Sequence, residues 1–193
     1  MSEIADFNIV SGKKDVSPLE PKHPIIWIDD DTVVKPAVEE IRKEPFIGLD
    51  VETTLTSPPR LCTCQIGLPD RNYVFDALAL NDLEEIFRIM DDPAIMKIIH
   101  YAPFERGVFK GLGVEINNVL DTFQVSRQLR GELTRHDHSL NSVCRRELGH
   151  PLNKVYQKSD WTRRPLSSGQ LRYAALDAEV LLSLYDVFRK ELN

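Results

Sequence analysis

The sequence predicts an α/β domain built on a mixed central sheet, three antiparallel strands and then parallel ones, with helices on its faces. Three observations point there. Phe46–Val51 reads Phe-Ile-Gly-Leu-Asp-Val, the nearly continuous apolar run of a strand covered on both sides. Two further strand-like runs, Leu61–Leu68 and Tyr73–Ala77, are joined by the turn signal Leu68-Pro69-Asp70-Arg71-Asn72, which predicts a hairpin. From Asn81 onward the apolar period changes, and helix, short strand and helix alternate.

Taken in order, residues 1–24 are polar, hold Pro18, Pro21 and Pro24, and show no helical or alternating period. They read as a mobile or loosely docked N-terminal arm without chemistry, ahead of one domain over residues 25–193. Ile25–Ile28 is the first strand. Asp31 or Thr32 can cap a short helix reaching Ile41, because a short polar side chain there takes up an orphan backbone N–H. Leu83, Ile86, Phe87 and Met90 fall at helical spacing. Met96–His100 is a short strand that breaks into a helix at Pro103, a residue favoured in a first turn, and that helix runs out at Gly111 and Gly113. Asp121–Arg130, Ser139–Leu148 and Ser167–Leu192 are helical stretches, the last two joined by the loop His150–Leu166.

Composition narrows the function. The chain has 193 residues, 42% of them hydrophobic, and a mean hydropathy of -0.27, ordinary for a globular protein. No apolar run approaches the ~20 residues a bilayer crossing needs. The N-terminus lacks the basic-then-apolar pattern of a secretory signal. A cytoplasmic setting without a membrane partner is the expectation. Three cysteines make an odd count, so disulfides and structural zinc are not expected, and Cys62 and Cys64 read as small buried residues. The formal net charge is -6, which argues against indiscriminate nucleic-acid binding. Residues 121–172 nevertheless hold ten Lys/Arg against five Asp/Glu, an acidic body with a basic stretch.

Three segments carry candidate chemistry. Asp50 and Glu52 lie two apart on a strand, so both side chains share one face, where two carboxylates repel unless a cation sits between them. Glu105 falls in the first turn of the helix opened by Pro103, where the helix dipole alone would favour it. Tyr173 and Asp177 are four apart on an apolar helix and share its face. An all-oxygen donor set without His or Cys selects Mg²⁺ or Mn²⁺ over zinc. Two such ions can stabilise the attacking and leaving oxygens of an in-line displacement at phosphorus, so phosphodiester hydrolysis is the natural candidate. His136-Asp137-His138 reads as a polar loop before a capped helix rather than a metal cluster. Asp121-Thr122 also reads as a helix cap, and Trp161 as an anchor for the loop after it.

The order Asp-x-Glu, His-x4-acid-x3-Phe and Tyr-x3-Asp resembles the DEDD superfamily of 3′-to-5′ exonucleases, in the subgroup with Tyr in its third motif. Leu61-Cys62-Thr63-Cys64-Gln65-Ile66, Leu120-Asp121-Thr122 and above all Ser159-Asp160-Trp161-x-Arg163-Arg164-Pro165-Leu166 followed by Gln170–Asp177 resemble ribonuclease D. The resemblance covers roughly residues 25–192 and implies the ribonuclease H-like exonuclease fold. It implies that Asp50, Glu52 and Asp177 ligate one Mg²⁺ or Mn²⁺, that Asp50 is shared with a second ion, and that Tyr173 orients the attacking water. Glu105 stands where the family usually has Asp and would reach the second ion through water over one more methylene. By the same resemblance, Thr53, Tyr101 and Phe104 touch the terminal nucleotide. Lys158, Arg163, Arg164 and Arg172, which precede or enter the motif helix, are candidates for phosphate contacts.

The expected activity is metal-dependent 3′-to-5′ hydrolysis of single-stranded RNA to nucleoside 5′-monophosphates. The helical RNA-binding modules that full-length relatives carry after this domain have no counterpart in the sequence, which suggests short or unstructured RNA, including small oligoribonucleotides. A ring or dimer could compensate for the lost modules. A non-catalytic RNA-binding or scaffolding protein with a degenerate site, motivated by Glu105 and the net acidity, and a 3′-to-5′ DNA exonuclease are the alternatives.

Overall fold

The computed structural model describes residues 16–131 and 135–192. Six strands form a single sheet: β1 (Ile25–Ile28), β2 (Phe46–Thr53), β3 (Leu61–Gly67), β4 (Asn72–Asp76), β5 (Met96–Ile99) and β6 (Val119–Asp121), in the order β1-β4-β3-β2-β5-β6. The β2–β3 and β3–β4 pairs are antiparallel, and β5 and β6 continue the sheet in parallel beyond β2. The first strand departs from a simple antiparallel run: β1 pairs parallel with β4 at the outer edge. β6 is three residues long, so the segment expected to open directly as a helix at Asp121 first completes the sheet.

Helices α1 (Asp31–Ile41), α2 (Glu84–Asp91), α3 (Pro103–Gly111), α4 (Thr122–Arg130), α5 (Leu140–Glu147) and α6 (Ser168–Leu192) cover the faces. Asp30, one residue before the expected cap, accepts from the Thr32 amide at 2.8 Å and starts α1. One apolar cluster joins α1, α2 and α3 to the sheet through Ile41, Leu49, Phe75, Ile86 and Phe109. A second, Val143, Cys144, Leu176, Val180, Leu184 and Phe188, joins α5 to α6. The cysteines are buried and free. No helix among the described residues is long and apolar enough to cross a membrane.

α6 lies unusually close to the sheet. Gly48 on β2 and Gly67 on β3 are register partners, and both abut the Ala178 backbone. A Cβ at Gly48 would collide with the Ala178 carbonyl oxygen, and one at Gly67 would stand 3.0 Å from it. Because side chains alternate along a strand, Gly48, Asp50 and Glu52 share the face that meets α6. The glycine pair therefore seats the helix beside the two carboxylates, with Asp177 one residue from the contact.

Candidate metal centre

Asp50, Glu52 and Asp177 each offer a carboxylate oxygen, and these oxygens lie within 4.8 Å of one another. Among the described residues this is the one group of His, Cys, Asp or Glu close enough to share an ion. A shift in the β2–β3 register follows directly at Glu52/Thr53, a bulge of the kind that re-aims side chains beside active sites. Glu105, 4% exposed in the first turn of α3, lines the same cleft. Asp50 Oδ2 and Glu105 Oε2 are buried without a hydrogen-bond partner.

The electrostatics explain why such a set calls for a cation. Burial, then the neighbouring Asp177, Glu52 and Glu105, hold the Asp50 carboxyl well above its usual range. Burial, then Asp177 and Glu105, push Glu52 to about 9. Glu105 rises to about 8, chiefly through burial. Asp177 rises to about 7 through burial, held back by the Tyr173 hydroxyl that donates to it. Burial and then Asp177 raise the Tyr173 phenol, so it stays protonated at neutral pH. Orphaned carboxylate oxygens crowded at low dielectric, with no nitrogen or sulfur donor among them, fit Mg²⁺ or Mn²⁺.

α6 is aimed by its first turn. Ser167 Oγ accepts from the Gln170 amide at 3.2 Å while Gln170 Oε1 accepts from the Ser167 amide at 3.0 Å, a reciprocal capping box. Gln170 Nε2 also donates to Ser159 Oγ at 2.7 Å and to the Asp160 carbonyl at 3.2 Å, tying the preceding loop to the helix. Trp161, 2% exposed, packs with Cys62, Leu166 and Ala174 and stands 6.1 Å from the Tyr173 ring, so it is an anchor.

The cleft encloses about 520 Å³. Thr53, Tyr101 and Phe104 line it, Phe104 being 43% exposed. Tyr101 has φ 69°, a conformation uncommon outside glycine. Asp121 sustains it: its carboxylate accepts from the Tyr101 amide at 2.9 Å, the Ala102 amide at 3.1 Å and the Phe123 amide at 2.9 Å. Asp121 thus caps α4 and braces the entry to α3 at once. Thr122 donates to the Ile99 carbonyl at 3.0 Å and pairs with His100 Nδ1 at 2.9 Å, and burial lowers the pKa of His100, which also lines the cleft, to about 4.

None of the four expected phosphate contacts, Lys158, Arg163, Arg164 and Arg172, lines the cleft. Arg164 spends all five donors within the protein: two on Asp76, the others on the carbonyls of Cys62, Trp161 and Arg163. Its guanidinium also lies over the Trp27 ring, 5.6 Å from the centroid. Asp76 is 2% exposed and needs that partner, so Arg164 is a structural clamp. Arg172 is exposed, pairs with Glu20 at 3.7 Å and lines the small gap between Leu19–Pro21 and Tyr156 instead of the cleft. The cation missed by sequence reasoning is Lys154, the one Lys or Arg among the described residues lining the cleft. A lysine in a loop without periodicity gives no signal of its direction. The side chain of His136 lies outside the described residues; His138 is buried, its Nδ1 2.9 Å from Ser126 Oγ, and Ser139 caps α5.

Comparison with known proteins agrees with this geometry. Ribonuclease D of Gluconacetobacter diazotrophicus is 32% identical over 81% of this chain and 40% of its own length. DNA polymerase I of Aquifex aeolicus is 32% identical over 83% of this chain and 26% of its own length. The chain thus spans well under half the length of these relatives. The crystal structure of Escherichia coli RNase D, an exoribonuclease involved in structured RNA processing, superposes with a TM-score of 0.80 at 26% identity, over 86% of this chain and 44% of that one. A family model described as 3′-5′ exonuclease matches residues 25–193, and with the acidic cleft and the ribonuclease D-like fold in view, the chain belongs to the 3′-5′ exonuclease family.

Proposed function

We propose that this chain is a Mg²⁺- or Mn²⁺-dependent 3′-to-5′ exonuclease that hydrolyses single-stranded RNA, short oligoribonucleotides included, to nucleoside 5′-monophosphates. The observation that carries the proposal is the convergence of Asp50, Glu52 and Asp177, with oxygens within 4.8 Å, in a cleft also lined by Glu105 and Tyr173. In this reading the three carboxylates hold one ion, and Asp50 and Glu105 provide for a second. When bound, the ions supply charge stabilisation to the reacting phosphodiester. Tyr173, a protonated phenol pinned between Asp177 and Trp161, orients the attacking water. Thr53, Tyr101 and Phe104 receive the terminal nucleotide, and Lys154 offers the cleft's cationic contact to a phosphate. A cleft of this size takes the end of a single strand.

The test is degradation of 5′-labelled RNA from its 3′ end with Mn²⁺. Asp50→Ala should lower the rate by more than about 100-fold, since even groups that merely support metal ligands are worth about 10- to 100-fold. Equal background for folded wild type and Asp50→Ala removes the enzyme reading. A DNA exonuclease is the second reading, favoured by the match to DNA polymerase I. Parallel RNA and DNA substrates separate the two. A non-catalytic RNA-binding protein predicts instead that wild type binds 3′ ends without turnover and that Glu105→Asp creates cleavage.

A further inference from the structure

The segment that leads into β1 runs along the outside of the cleft and touches two of its walls. His150 Nδ1 donates to the Ser17 carbonyl at 3.1 Å, and the Leu19 amide donates to the Pro151 carbonyl at 2.9 Å. His150 and Pro151 open the loop whose next residues, Leu152, Asn153, Lys154 and Gln157, line the cleft. The Leu19 side chain packs against the cluster that holds Leu152 and Leu176. A few residues on, the Lys22 and His23 amides donate to the two carboxylate oxygens of Glu179 at 2.9 and 3.3 Å, and Asn72 Nδ2 donates to the second at 2.6 Å. Glu179 is 7% exposed on α6, two residues past Asp177, and N–H donors hold its charge. A gap of about 60 Å³ separates Leu19, Glu20 and Pro21 from Tyr156 and Tyr173.

One end of this segment therefore grips the cleft's wall loop and the other grips the helix that carries Asp177. The loop needs such a grip. Asn153, Lys154, Val155, Gln157 and Lys158 are exposed, and a loop with so little burial sits at the low end of local stability. Its own ties to the body include the Leu152 amide to Asn141 Oδ1 at 2.7 Å and the packing of Tyr156 against Gly169.

We infer that residues 17–23 are a positioning strap for substrate binding: by tying loop 150–157 to α6, they hold Lys154 and its neighbours at working distance from the carboxylates. The inference rests on the exonuclease reading of the cleft. The strap touches neither substrate nor metal; it acts through the wall it holds. Two variants weaken it at different points. Leu19→Ser removes the apolar anchor, and Lys22→Pro deletes one donor to Glu179. Both should raise KM for a 5′-labelled single-stranded RNA roughly tenfold with kcat within about twofold, the pattern of lost ground-state binding. Leu19→Met, which keeps the apolar contact, should retain the wild-type KM. The affinity for Mn²⁺ alone should not move.

Hydrogen exchange at the Leu19 and His23 amides, and at the Lys22 amide in the variants that keep it, shows whether the strap has come away. A released strap with unchanged KM overturns the inference, and so does a fall in kcat at constant KM, which would make the segment a brace of the catalytic helix. RNA affinity with Ca²⁺ in place of Mn²⁺, read by fluorescence anisotropy, needs no turnover. Weakening of roughly tenfold in the variants supports the strap even where wild type cleaves nothing. Cleavage by wild type, with affinity unaltered in released variants, sinks the strap and leaves the exonuclease reading standing.

Discussion

At the scale of single residues, the acidic cluster behaves as a device that is stable only when something neutralises it. Glu52, Glu105 and Asp177 titrate at about 9, about 8 and about 7 in the folded chain. Folding therefore raises their proton affinity. Their contribution to stability is fully present below the ordinary carboxylate range and is lost as pH rises through those values. Chelated protein should accordingly melt lower at about pH 8 than at about pH 5, and Mn²⁺ should raise Tm far more at the higher pH. Asp50→Asn, which removes one charge from the cluster, should flatten the dependence in scanning calorimetry. The five candidate positions, which the structure gathers in one cleft, each follow a local rule, strand alternation for Asp50 and Glu52, a Pro-led first turn for Glu105, and helical spacing for Tyr173 and Asp177. That Arg164 and Arg172 are paired with carboxylates away from the cleft was not legible, for a physical reason. Which carboxylate captures an arginine depends on Asp76 and Glu20, both remote in sequence, and positive charge alone does not reveal it.

At the scale of elements, the contact between α6 and the sheet decides the site. Gly48→Ala should cost about 2 kcal/mol or more, because the obstacle is backbone and cannot rotate away. Activity should fall further than stability alone accounts for, since a displacement of ~1 Å in a catalytic group can cost ~100-fold. Gly107→Ala on α3, where a Cβ meets nothing within 4 Å, is the control and should leave the rate unchanged while adding roughly 0.5–1 kcal/mol of stability. Paired denaturation and single-turnover measurements check both. The hairpin and the helix-strand alternation were readable from period and turn chemistry. β6 was not, because three residues are too few to show a period and Asp121 serves both strand end and helix cap. The docking of residues 17–23 left no pattern either, since most of it runs through backbone amides.

At the scale of the whole molecule, charge is placed by region. The acidic cleft faces one described lysine, while Arg164 is locked into its pair with Asp76. RNA affinity in Lys154→Met should lose salt dependence, the slope of log K against log salt falling by roughly 0.7 for one phosphate contact. Arg164→Met should leave that slope alone and instead destabilise the fold by about 3 kcal/mol, because it strands a buried carboxylate. Salt titration and thermal denaturation of the two variants give opposite results if these assignments hold. The order in which the ligands occur along the chain has a temporal consequence. Asp50 and Glu52 lie on an early strand, but Asp177 arrives on α6, the last of the described elements. Chains are made from the N-terminus, so a growing polypeptide acquires its third carboxylate only when that helix emerges and docks on the two glycines. On the exonuclease reading the site is thus completed only when α6 docks, and a chain interrupted before α6 holds all six strands of the sheet but lacks the third carboxylate.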